Sequence, residues 1–68
     1  MEPRREEKHE QETTWIVTLR SGDPVQYQAF LAREKGNLLE FCDQGGRVKD
    51  SLPLANVKEW HHLDTLGE

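Results

Sequence analysis

Histidine offers the widest chemistry of any residue type in this sequence, and it occurs at His9, His61 and His62. A neutral imidazole can ligate a transition metal or act as a general base. His61 and His62 are adjacent, and neighbouring residues of a strand point to opposite faces, so they do not converge on one ion. His9 lies far away in a charged N-terminal segment. Since there is no His-x-His or Cys-x-x-Cys spacing either, the sequence predicts surface or interface histidines and no metal site.

Nucleophilic catalysis has two candidate residues, Cys42 and Ser51, and either would need His61 or His62 as its base. Cys42 precedes Asp43, whose negative charge raises the pKa of a neighbouring thiol and makes it less reactive. A small hydrophobe in a strand is therefore the better interpretation of Cys42. The sequence contains no glycine-rich phosphate loop. We predict no enzymatic activity, no cofactor and no small-molecule substrate.

The length and charge of the chain limit its class further. Sixty-eight residues suffice for one small domain. Nine Lys and Arg against thirteen Asp and Glu give a net charge of −4, which argues against binding to a phosphate backbone. We see no signal peptide and no run of about 20 apolar residues, and a single cysteine cannot form an intrachain disulfide. We expect a soluble cytoplasmic protein that does not cross a membrane.

The N-terminal segment, residues 1–12, is charged or polar almost throughout, with Met1 as its one hydrophobic side chain. Such a segment cannot bury enough surface to offset its ordering entropy, so we predict a disordered tail. A short charged helix is the alternative, but isolated helices of about 12 residues are marginal in water. Whether the tail orders on binding is left open. Residues 13–63 are predicted to form one β domain, and residues 64–68 to fray.

Residues 13–63 alternate apolar and polar side chains in short runs that end at turn formers. The clearest run, residues 13–20, is rich in β-branched side chains and stops at a Ser-Gly-Asp-Pro turn. Residues 29–35 also fit a helical turn, but the alternation before them favours a strand. Paired glycines predict a hairpin at residues 43–47. The predicted strands cover residues 13–20, 25–34, 38–43, 48–52 and 57–61.

Alternation along each predicted strand places the large apolar residues on two different faces of the sheet. Trp15, Tyr27 and Phe41 fall on the predicted core face, where aromatic side chains of a small domain usually lie. Other apolar residues fall on the opposite face, and an apolar patch there would mark an association surface. The candidates for contact with a partner are Phe30, Leu38 and Trp60.

The order and spacing of the runs predict the fold. Five short strands joined by tight turns indicate an all-β protein, a small five-stranded antiparallel meander. Apolar groups on both faces of the first and third strands favour a curled sheet or a small barrel over a flat sheet. A helical turn near residues 53–56 precedes the last strand. In architecture alone, residues 13–61 resemble SH3-like and Sm-like small barrels, which end in the same way.

This resemblance implies an alternative function, because SH3-like and Sm-like barrels include proteins that bind nucleic acids. The residues that would serve such binding here are Arg33, Lys35, Arg47 and Lys49. Acidic residues are interleaved among them, and phosphate binding depends on unbalanced positive charge. A mixed, solvated surface is therefore the preferred interpretation.

The function that the sequence favours is a non-catalytic interaction module, acting as a homo-oligomer or as an adaptor on a larger protein. Two features support it: the small core that a chain of this length can build, and the apolar residues on the second face. Binding of a nucleic acid by a small barrel is the alternative.

Overall fold

A computed structural model describes residues 5–63 as one curled antiparallel sheet. Its five strands lie in the order β4-β3-β2-β1-β5, so β1 to β4 form a meander and β5 returns to pair with β1. No ladder within residues 5–63 joins β4 to β5, and the sheet is not closed into a barrel. The all-β prediction and the turn near residues 53–56 are confirmed. The elements are β1 Arg5–Leu19, β2 Pro24–Lys35, β3 Leu38–Cys42, β4 Val48–Pro53, a 3-10 turn Leu54–Asn56, and β5 Val57–His62.

Tight turns join the consecutive strands from β1 through β4, and glycines lie in these turns as predicted. Gly36 joins β2 to β3 with a φ of 61°, and Gly46 joins β3 to β4 with a φ of 89°. Both values lie in the left-handed region, which glycine adopts without a steric penalty. Asp43 completes the second turn, because its Oδ1 accepts hydrogen bonds from the backbone N–H groups of Gly45 and Arg47, each at 2.9 Å.

A bulge interrupts the pairing near the middle of β1 and β2. Residues 9–12 of β1 face only Phe30 on β2, so the pairing on either side of this point is offset. The bulge also interrupts the alternation of inward and outward side chains along β2. Ala29 and Ala32 are three residues apart, yet both are fully buried in the core cluster. Leu31 between them is buried outside that cluster. The strand predicted at residues 29–35 is confirmed, but its inward face changes at Phe30.

A second bulge in β5 places Trp60 in the core. The pairing of β5 with β1 shifts at Lys58, and as a result Val57 and Trp60 both point inward, at 7% and 3% exposure. Trp60 pairs with Val17, a fully buried residue of β1. Trp60, predicted on the second face as a partner-contact residue, is instead buried in the core of the single chain, because strict alternation from Val57 does not survive the bulge at Lys58.

The core is built around two tryptophans and a phenylalanine. Trp15 and Phe41 are fully buried, as predicted, and Tyr27 is half-buried with its ring stacked on Phe41 at 4.6 Å between centroids. The Nε1–H of Trp15 donates to the carbonyl oxygen of Ala29 at 3.0 Å, so its one polar group is satisfied inside the core. The core cluster comprises Trp15, Val17, Ala29, Ala32, Leu39, Phe41, Val57 and Trp60.

The predicted disordered tail differs from the structure, since β1 begins at Arg5 and includes residues 5–12. The pairs of opposite charge Arg5–Glu34 and Glu6–Arg33 lie across the β1–β2 ladder, and such pairs stabilise antiparallel strands. The prediction considered the composition of this segment alone and not the charges of its partner strand. Residues 1–4 of the tail, and the predicted frayed residues 64–68, lie outside the described residues.

Candidate functional site

The first part of β1, which we call the charged half (residues 5–12), presents different side chains to the two faces of the sheet. Arg5, Glu7 and His9 lie on the inner side, towards β5 and the core tryptophans. Glu6 and Lys8 lie on the outer side, where they line a groove. This division follows from the period of two along a strand. The charged half therefore contributes to two surfaces, and His9 borders both of them.

On the inner side, polar side chains of the charged half contact a tryptophan ring at the edge of the core. The guanidinium carbon of Arg5 lies 3.7 Å from the centroid of the Trp60 ring, a close cation–π contact. Trp60 donates its Nε1–H to Glu34 Oε2 at 2.8 Å. Arg5 Nε also donates to Glu7 Oε2 at 3.1 Å. These contacts join β1, β2 and β5 at a point where no ladder connects the charged half to β5.

Glu7, His9 and His62 form a compact group beside this contact. Their potential metal-ligating atoms all lie within 4.8 Å of one another. Glu7 Oε1 and His62 Nδ1 are 3.5 Å apart, and the imidazole centroids of His9 and His62 are 4.7 Å apart. Trp15 packs beneath both imidazoles, with centroid distances of 5.2 Å to His9 and 6.0 Å to His62.

The carboxyl group of Glu7 is the electrostatic centre of this group. The hydrogen bond from Arg5 lowers the pKa of Glu7, and His62 lowers it further, whereas burial acts in the opposite direction. Glu7 is therefore an anion at neutral pH. An ionised carboxylate next to two imidazoles can accept protons, form ion pairs or ligate a cation.

The sequence analysis missed this group because it assigned His9 to a disordered tail. His61 and His62 do point apart, as expected: His61 is exposed, and His62 alone belongs to the group. The overlooked signal is the spacing of Glu7 and His9, which places both side chains on one face if the segment is a strand. Nothing in the segment's own composition indicates that it is one.

On the outer side lies a groove of about 460 Å³ between the charged half of β1 and the β3–β4 turn. Its apolar floor includes Leu31, which is 7% exposed, and the half-buried Phe30. Three acids and one lysine are among the residues that form its walls. The lining residues are Glu6, Lys8, His9, Glu10, Phe30, Leu31, Asp43, Gln44, Gly45 and Gly46.

An apolar row continues from this groove across the outer face. Leu31 pairs with Cys42, and Cys42 pairs with Val48, so the three side chains lie side by side on β2, β3 and β4. Cys42 is fully buried, and burial raises the pKa of its thiol, which remains protonated at neutral pH. Val48, at the sheet edge, is 48% exposed. The Arg33–Glu40 ion pair, 2.8 Å between Nε and Oε1, borders the row on one side.

The three predicted contact residues have different positions. Phe30 lies in the outer groove, and Leu38 is 39% exposed on the outer face near the other end of β3. Trp60 is buried on the inner side and does not join them. Val48 was not among the contact residues that the sequence predicted. A register shift between β3 and β4 places it outward, opposite Cys42.

The four basic residues considered for nucleic-acid binding are not gathered into one patch. Arg33 pairs with Glu40, and Lys49 donates to Glu12 Oε2 at 3.2 Å and to a backbone carbonyl oxygen at 3.1 Å. Lys35 and Arg47 are exposed, but they lie beside opposite ends of β3. Two of the four charges are thus matched by carboxylates.

A second groove, of about 320 Å³, opens between the β1–β2 turn and the 3-10 turn. Leu19, Val25, Tyr27 and Leu52 give it an apolar lining, and all four are partly buried against the core. Arg20 borders it and donates from Nε to the carbonyl oxygen of Ala55 at 2.8 Å. This groove is therefore the place where partly buried residues of the core reach the surface.

Neither the fold nor these sites are assigned by similarity to known proteins. Within residues 5–63, no helix has the length and apolar character that a bilayer crossing requires. A scan against protein-family models finds no match, and searches of curated proteins and of solved structures also find none.

Proposed function

We propose that this chain is a non-catalytic interaction module that associates with a second copy of itself through its outer face. The observation that carries the proposal is the groove around Phe30 and Leu31 together with the exposed Val48 beside it. An apolar recess next to an apolar projection on one face is self-complementary under a twofold rotation. In the dimer, Val48 of each copy enters the groove of the other.

The distribution of charge supports a second copy as the occupant. Glu6, Glu10 and Asp43 surround the groove, and Lys8 is the one base that lines it. Val48 is preceded by Arg47 and followed by Lys49. When two copies meet in this way, the exposed Arg47 beside each valine approaches the acidic walls of the opposite groove, whereas Lys49 keeps its ion pair with Glu12. Such complementarity favours correct docking and accelerates the encounter.

The size of the domain and the state of its thiol are consistent with this role. A domain of this length buries a modest fraction of its surface, and association is a common way to add to a small core. Cys42, the only cysteine, is buried with a raised thiol pKa, which suits a packing role and not nucleophilic catalysis. We place the module in a reducing compartment, where a free thiol persists.

Sedimentation velocity across a concentration series, from micromolar to millimolar, tests the proposal. We expect the wild-type chain to reach twice the monomer mass within this range. Val48→Asp places a charge at the centre of the contact and should weaken association at least tenfold, which corresponds to about 1.4 kcal/mol. The substitution changes a side chain that is 48% exposed in the single chain, so the fold is retained.

Leu63→Asp is the matched control, because Leu63 is 42% exposed and does not line the groove. It should leave the association constant unchanged, and Leu38→Asp should have a smaller effect than Val48→Asp because Leu38 is farther from the groove. A strict monomer at millimolar concentration, or equal effects of the Val48 and Leu63 variants, would contradict the proposal. Salt-sensitive binding of single-stranded DNA by such a monomer would favour the nucleic-acid alternative instead.

A further inference from the structure

We propose that Glu7, His9 and His62 form a binding site for a divalent transition-metal ion, with Zn²⁺ as the best-matched ion. This site shares His9 with the lining of the outer groove, but it does not include Val48, Phe30 or Leu31, and its other two ligands lie outside that groove. It is the one group of three or more potential His, Cys, Asp or Glu ligands that comes together within residues 5–63.

The donor set has the composition that zinc prefers. Two imidazole nitrogens and one carboxylate oxygen constitute a frequent three-ligand set for Zn²⁺, with a fourth position left for water or another ligand. Hard cations such as Mg²⁺ and Ca²⁺ favour sites made of oxygen ligands, so two imidazoles select against them. The predicted ion is therefore Zn²⁺, or a borderline ion with similar ligand preferences such as Co²⁺ or Ni²⁺.

The distances require only a small contraction. Bonds of about 2.0–2.1 Å in a tetrahedral site place neighbouring ligand atoms about 3.3 Å apart. Glu7 Oε1 and His62 Nδ1, at 3.5 Å, are already close to that separation. The other ligand-atom separations are at most 4.8 Å, and side-chain rotations of these half-buried residues suffice to close the difference.

The surroundings orient the three ligands. Trp15 forms a rigid wall beneath both imidazoles, and it is itself fixed in the core by its hydrogen bond to Ala29. Arg5 binds Oε2 of Glu7 and leaves Oε1 directed towards His62. Hydrogen bonds of this kind to a ligating carboxylate fix its orientation. The positive charge of Arg5 opposes the ion, so we expect moderate affinity.

The position of the site gives metal binding a structural consequence. His62 belongs to β5, whereas Glu7 and His9 belong to the charged half of β1, which has no ladder to β5. A bound ion would therefore connect two segments that are joined only by side-chain contacts there. An ion that binds the folded chain alone stabilises it by mass action. At a hundredfold excess of free Zn²⁺ over the dissociation constant, the melting temperature should rise by about 10 °C or more.

Isothermal titration of the untagged chain with ZnCl₂, combined with thermal unfolding, tests the site. Wild type should bind one equivalent and gain thermal stability. His9→Gln and His62→Gln should each weaken binding at least tenfold and lose most of the shift in melting temperature. His61→Gln is the matched control: it removes a neighbouring histidine that is exposed and outside the group, and it should bind like wild type.

Paramagnetic NMR keeps the test decisive if a variant fails to fold. Sub-stoichiometric Ni²⁺ added to the wild-type chain should broaden the imidazole resonances of His9 and His62 strongly, and those of His61 much less. The proposal is overturned if wild type shows no binding up to millimolar ZnCl₂. Equal broadening of all three histidines, or equal loss of binding in the His61 and His62 variants, would also overturn it. The Val48→Asp variant should bind the ion normally, which separates this site from the proposed dimer contact.

Discussion

The two halves of β1 are both strand, but different interactions hold them in the sheet. The apolar half, residues 13–19, pairs with β2 on one side and β5 on the other, and Trp15 and Val17 are fully buried. The charged half pairs with β2 alone and has no residue in the core cluster. Its inner side chains bind to rings at the edge of the core: Arg5 to Trp60 and His9 to Trp15.

This difference shows how a segment without hydrophobic side chains can form a strand. Aromatic residues have an apolar body and a ring face that attracts cations, and tryptophan also has a polar N–H, so they can pack into the core on one side and bind charged groups on the other. The apolar half supplies the stability of the fold. The charged half supplies the candidate sites, because it forms one wall of the outer groove and two ligands of the inner histidine group.

The largest effect should follow from damage to the apolar half. Trp15→Ala removes a fully buried ring and its hydrogen bond, and a loss of about 3–5 kcal/mol in the free energy of unfolding is expected. A domain of this length has only about 3–10 kcal/mol of stability, so much of the variant should be unfolded. Urea unfolding followed by circular dichroism measures this. A loss below about 1 kcal/mol would contradict the assignment of Trp15 to the core.

A smaller and more selective effect is expected from Trp60→Phe. The ring is largely kept, but the donor to Glu34 is lost, at a cost of about 1–2 kcal/mol. Because this donor and the ring face that binds Arg5 both support the charged half, amide exchange should accelerate more at residues 5–8 than at residues 13–19. Trp15→Phe is the control, since it removes the same donor from the apolar half. The same exchange pattern in both variants would contradict the separation of the two halves.

The smallest effect concerns the charge of Glu7. Its pKa is lowered in the folded chain, so its contribution to stability is present above the ordinary pKa of an unfolded carboxyl group. This contribution is lost as the pH falls through the lower pKa of the folded state. Glu7→Gln should therefore cost less than about 1 kcal/mol at neutral pH, and nothing once the pH lies below both values. Glu59→Gln, at an exposed position of β5, is the matched control.

The apolar half and the turns were predictable from sequence because their signals are local. Alternation with β-branched residues indicates the strand of Trp15 and Val17, and glycines at Gly36 and Gly46 indicate turns with positive φ. The bulges were not predictable, since they depend on how neighbouring strands pair after the sheet has curled. For this reason Trp60 was assigned to the wrong face and Val48 was not recognised as exposed.

The candidate sites depend on pairing between distant segments, and one sequence carries little information about it. His9 and His62 are at opposite ends of the chain, and they meet because the charged half pairs with β2 while β5 pairs with the apolar half of the same strand. Phe30 was identified as a second-face residue from parity, and it does lie in the outer groove. Two of the three acids of that groove, Glu6 and Glu10, come from a segment whose composition indicated disorder.

The central claim is that the charged half of β1 is an ordered strand, because both candidate sites are built on it. Backbone ¹⁵N relaxation at neutral pH tests this directly, by comparing order parameters of residues 5–8 with those of residues 13–19. The account predicts values near 0.8 in both segments, close to those of rigid backbone at about 0.85. Order parameters below about 0.6 at residues 5–8, with high values at residues 13–19, would show a flexible tail and contradict the account.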